Sequence, residues 1–195
     1  MFKSAHRVTA MIVGLFIVLH LANHMVGLVG QQQHIQFMTL IRPLYRNPVA
    51  ETVLLALLVW QILSGMRLLA LRWRNNDGII SWLQIISGGY LAIFLIIHVS
   101  SVLYARHSMG MDTNFYFAAA GLHIENGDKF FVPYYTGSFL ALFTHIGCAS
   151  SWYLFPQNSR KQLRWIGLNA VLGFVAGILV VAALSGKLYT VVFPT

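Results

Sequence analysis

Apolar residues run through this chain in five long blocks separated by shorter polar segments. The blocks cover about 8–30, 50–72, 79–105, 135–155 and 165–192. Each exceeds the roughly 20 residues that a helix needs to cross a hydrocarbon core of about 30 Å. The pattern predicts an all-α integral membrane bundle of five transmembrane helices, forming a single domain over residues 1–195. The first block is too long for a removable leader and lacks a small-residue cleavage site. Asn47-Pro48 followed by Glu51 predicts the start of the second helix: a cap, a proline in the first turn and an acid at the positive dipole end. RNNDG (74–78) is a short turn between antiparallel neighbours. The 31–47 stretch reads as a polar loop at the outer surface. The 106–134 stretch, with Asp112, Glu125, Asp128 and Lys129 and breakers at Gly110, Gly121 and Gly127, reads as an outer cap. Pro156 closes the fourth helix, and 155–162 turns into the fifth.

Composition sharpens this picture. With 57% hydrophobic and 9% charged residues the chain is no soluble domain. The net charge of +8 would suggest nucleic acid in a soluble protein, but here the cations gather at block ends, so membrane lipid is the expected partner and nucleic acid is not. Lys3, Arg7, Arg67, Arg72, Arg74, Arg160, Lys161 and Arg164 fall on one side of a five-span topology. Arg42, Arg46, Arg106, Lys129 and Lys187 fall on the other. Eight against five puts the N-terminus in the cytoplasm. One cysteine, Cys148, excludes an internal disulfide or a CxxC pair and reads as a small buried residue. Trp73, Trp82, Trp152 and Trp165 sit near block ends, as an aromatic belt does.

Two histidines stand deep inside apolar blocks: His20 in GLFIVLHLANHM and His98 in AIFLIIHVSSVL. An ionisable side chain at that depth is a functional candidate by default, and neutral imidazole is a favoured axial ligand of haem iron. The two blocks read as copies. Thr9 precedes His20 by eleven residues, and Ser87 precedes His98 by the same interval. The second and fourth blocks each carry a polar residue followed four positions later by a small one, Gln61 to Gly65 and His145 to Ala149, one turn along the same face. A two-helix unit therefore occurs twice. The expected metal ligands are His20 and His98, clamping one haem b in the outer half of the bilayer. His24, one turn beyond His20, is the alternative ligand or a hydrogen-bond donor holding it. Gln61 and His145 either contribute to a haem or quinone site or hydrogen-bond each other. His34, His107 and His123 fall where solvated histidine is expected.

With Thr9…His20, Ser87-Gly88…His98, the Gln61-to-Arg67 block and His145-to-Ala149 in this order, residues 4–155 resemble the cytochrome b membrane anchor of succinate dehydrogenases and fumarate reductases, the single-subunit five-helix kind. The start, Ser4-Ala5-His6-Arg7-Val8-Thr9, is also similar to an opening in which a serine and an arginine line a quinone site, which assigns Ser4 and Arg7 to quinone. The resemblance implies haem held by His20 and His98 from helices one and three. Arg42, Arg46, Arg106 and His107, all expected on the outer side, either snorkel at the interface or meet its propionates. It also implies electron transfer between a quinone and cytoplasmic flavoprotein and iron–sulfur subunits, in a bacterial inner membrane. Gln61 stands where the diheme members have a histidine, so the second haem site is lost or rests on His145 alone. In this reading the chain is a non-catalytic electron-transfer subunit of a quinone oxidoreductase. The alternatives are a stand-alone quinone-coupled cytochrome or haem sensor, and a haem-free structural anchor.

Overall fold

The computed structural model describes residues 2–74, 76 and 78–194, and all the secondary structure among them is helical. The helices are α1 (Phe2–Val26), α2 (Gln31–Arg46), α3 (Pro48–Trp73), α4 (Ile79–His107), α5 (Phe115–Ala120), α6 (Asp128–Leu154) and α7 (Ser159–Leu184). Four of them, α1, α3, α4 and α7, are long and apolar enough to cross a membrane. α6 is as long, at 27 residues, but carries tyrosines, serines, threonines and a histidine among its apolar positions. Much of that polarity is turned inward: Thr136, Ser138, Thr144 and Ser151 are all buried.

α1 packs on α3, α3 on α4, α4 on α6 and α6 on α7, and α7 returns to α1, so the long helices form a closed circuit. Small residues let α6 and α7 approach closely. A Cβ on Gly173 would stand 2.7 Å from the carbonyl oxygen of Phe139, and one on Gly177 3.0 Å from the Cα of Thr136. Asn47 caps α3 as its sequence predicts, its side chain accepting the Ala50 N–H at 2.9 Å with Pro48 opening the helix. Of the 74–78 turn, Asn75 and Asp77 lie outside the described residues. Gly78 leads into α4 at φ 87°, a conformation that suits glycine.

Several expectations are corrected. The 31–47 stretch is not a loop but the amphipathic helix α2, which buries His34, Met38 and Ile41 and exposes Leu40 and Leu44. A polar histidine heads its inward stripe and glutamines fill its outer face, so the stretch has the composition of a loop and the spacing of a helix. The 106–134 cap contains α5, whose Phe115 is fully buried, and α6 begins at Asp128 and continues through Pro133. α7 ends at Leu184, well before 192, because the following residues fold back over the α1–α2 junction. There the Tyr189 hydroxyl donates to the Gly27 carbonyl and the Val192 N–H to Gln31 Oε1.

Candidate functional site

His20 on α1 and His98 on α4 face each other, with ring centroids 6.0 Å apart and planes at 67°. Each ring is backed by a phenylalanine one turn earlier on its own helix. Phe16 stacks on His20 at 5.6 Å and 21°, and Phe94 on His98 at 5.1 Å and 15°. The sequence spells the same arrangement twice, Phe16 to His20 and Phe94 to His98, four residues apart in both blocks. Imidazole nitrogens about 2 Å on either side of one iron would put their ring centroids about 6.2 Å apart. The spacing of the two rings therefore fits two imidazoles that share one metal ion. Among the described residues no three His, Cys, Asp or Glu side chains converge in a set able to hold a metal ion by themselves.

Two more imidazoles extend this cluster. His24 sits edge-on to His20 at 4.8 Å, and His34 of α2 lies 5.5 Å from His24. The solvated role expected for His34 is thus corrected: it is 3% exposed. Its Nε2 lies 3.0 Å from the Asn23 amide nitrogen, and its other face meets Phe115. Glycine at 27 eases the approach of α2, since a Cβ there would stand 3.1 Å from Cδ2 of His34. Burial, with His20 and Arg42 nearby, lowers the basicity of His34 to a pKa of about 4, which keeps the ring neutral. Nδ1 of His24, Nδ1 of His34 and Oδ1 of Asn23 are buried without a hydrogen-bond partner.

A second polar cluster occupies the other half of the bundle. Thr9 donates to Gln61 Oε1 at 2.7 Å, the Gln61 amide lies 3.2 Å from Nε2 of His6, and His6 Nδ1 is 2.7 Å from the Ser64 hydroxyl. On the facing pair of helices, Ser87 lies 3.3 Å from His145 Nδ1. Gln61 and His145 are therefore not bonded to each other; each is satisfied by its own helix pair. The two imidazoles sit alike, each at a Ser-Gly step of the neighbouring helix. A Cβ on Gly65 would come 3.5 Å from Cε1 of His6, and one on Gly88 3.0 Å from Cε1 of His145. His6 was not a site candidate in the sequence. The available signal was register, because His6, Thr9, Val13, Phe16, His20 and Asn23 recur every three or four residues along one face of α1.

The remaining candidates lie at the periphery. Ser4 and Arg7 are exposed, and the Arg7 guanidinium lies 5.7 Å over the Tyr153 ring of α6. Arg42 and Arg46 both reach Asp112, at 3.0 and 3.5 Å, while Arg106 and Glu51 form a two-pronged ion pair. Two arginines share one carboxylate here, and burial beside Arg42 and Arg106 lowers the basicity of Arg46. Tyr45 of the same helix touches Phe16, which links this cationic rim to the ring behind His20. His107 is exposed as expected, and His123 is exposed but its Nε2 lies 2.9 Å from the Leu184 carbonyl. No family model, curated protein or solved structure matches this chain.

Proposed function

We propose that this chain is a five-span membrane anchor of the cytochrome b type, holding one haem b between His20 and His98. It passes electrons between a quinone and flavoprotein and iron–sulfur subunits on the cytoplasmic side of a bacterial inner membrane. The observation that carries the reading is the facing pair of imidazoles at 6.0 Å, each braced by a stacked phenylalanine. The matched contacts Thr9–Gln61 and Ser87–His145 support an internal duplication of a two-helix unit, with α6 as the fifth span.

When bound, the haem supplies reversible one-electron carriage at its iron. The chain's own residues do the rest. His20 and His98 would each hold the group through a ring nitrogen, an arrangement that favours electron transfer over oxygen chemistry. Phe16 and Phe94 restrict the rotation of those rings and exclude water. Arg42 and Arg46, with only Asp112 between them, offer positive charge to anionic carboxylates at the outer rim. The single cysteine leaves no thiolate set for an iron–sulfur cluster in this chain, so substrate chemistry belongs to partner subunits.

The test is an oxidised-minus-reduced optical spectrum of the purified protein with haem counted per chain. One haem is expected in the wild type and none in His98→Ala or His20→Ala, with His24→Ala retaining pigment. A colourless wild type prepared with ample haem supply, or full pigment in His98→Ala, overturns the reading. Co-purification of flavin and iron–sulfur proteins separates the anchor from a stand-alone cytochrome.

A further inference from the structure

We propose that the groove at the α6–α7 turn binds the headgroup of an anionic phospholipid, whose acyl chain lies along α7. The groove has a volume of about 310 Å³ and is lined by Phe155, Lys161, Arg164, Trp165 and Leu168. Lys161 and Arg164 are exposed, and no described carboxylate forms a salt bridge with either. The outer groove beside Arg42 and Arg46 differs in this respect, because Asp112 already lies across both guanidinium groups.

The walls are fixed before any ligand arrives. The Trp165 indole N–H donates to the Ser150 hydroxyl at 2.9 Å, and its ring meets Phe155 edge-on at 6.3 Å. With that donor engaged, the indole offers only its apolar face, and the two cations are what remains for a phosphate. Lys161 and Arg164 are three residues apart and share one side of the helix. One turn beyond Arg164, an exposed apolar track starts at Leu168 and continues through Leu172, Val175 and Leu179, which are 52%, 51%, 49% and 39% exposed. At 1.5 Å per residue the track is about 16 Å long, close to the depth of one leaflet. A free phosphate would use the cations and leave the track bare; a phospholipid uses both. Positive charge at the end of a span, an aromatic wall and an apolar track are together the requirements of an interfacial lipid site.

The experiment measures lipid binding to the detergent-purified full chain by native mass spectrometry, with phosphatidylglycerol, phosphatidylcholine and inorganic phosphate as separate probes. Phosphatidylglycerol is expected to bind at least tenfold more tightly than phosphatidylcholine. A cation near the surface contributes roughly fivefold in affinity, so K161Q/R164Q should lose about 25-fold while K161R/R164K retains binding. Helix content by circular dichroism confirms that both variants are folded. Equal affinity for the two lipids, unchanged binding in K161Q/R164Q, or inorganic phosphate displacing the lipid at equal concentration overturns the proposal. The readout counts lipid and not pigment, so it stands or falls independently of the haem.

Discussion

A residue's meaning in this chain depends on whether water reaches it. His34 has the same side chain as His107, yet one is enclosed between α1 and Phe115 of α5 and the other is open to solvent. The buried ring has a measurable consequence. Its folded pKa is about 4, below the usual 6.5, so between those values the unfolded chain holds more protons. Stability is therefore complete above about pH 6.5 and falls as pH drops toward 4, by up to about 3 kcal/mol. The wild type should accordingly lose about 2 kcal/mol more than His34→Gln between pH 7.5 and pH 5. Chemical denaturation of both proteins across that range checks it, and parallel curves would remove the buried imidazole from the account. Residue-scale chemistry was partly legible. His20 and His98 stood out because histidine is conspicuous among leucines and isoleucines. His6 and His34 did not, because each lies in a stretch already polar, where nothing local distinguishes a buried ring from a solvated one.

At the scale of elements, helix contacts follow side-chain size. α7 presents Gly173 and Gly177 to α6, and the backbone of one helix lies against the other at those points. Gly173→Val would drive a branched side chain into the Phe139 carbonyl and the Phe143 ring. A loss of about 1–3 kcal/mol is expected, read as a lower unfolding midpoint in detergent. Gly167→Val is the control, since nothing lies within 4 Å of a Cβ there. The glycines of the last apolar block mark a close approach, but not its partner. α2 was misread for a related reason. Its inward face includes a histidine and its outer face exposes leucines, so the usual link between apolar and inward does not hold for it.

For the whole molecule, the decisive quantity is how many helices cross the bilayer. α6 is set among α4 and α7, and its polar residues are accommodated by those neighbours. A helix flanked in this way needs less hydrophobicity to sit in a membrane than one surrounded by lipid. Five spans put the two ends of α6 on opposite faces. Asn126→Cys and Asn158→Cys, each in a Cys148→Ala background, should then react with an impermeant maleimide from opposite sides of sealed vesicles. Labelling of both from one side would leave four spans and return α6 to the interface.

The sequence by itself determined that there are five long helices, roughly where they lie, and that His20 and His98 stand inside two of them. Both follow from local facts: apolar runs of membrane length, and a polar side chain set within such a run. Only the tertiary structure decided which rings meet. It set His20 against His98, gave His6 to Gln61 and Ser64, and brought His34 in beside His24 over Gly27. It also folded the C-terminal strap back onto the α1–α2 junction. Helix formation is governed by neighbours three and four residues away, whereas these contacts join positions up to 162 residues apart. Their geometry comes from how the helices pack around one another, which no short window of sequence contains.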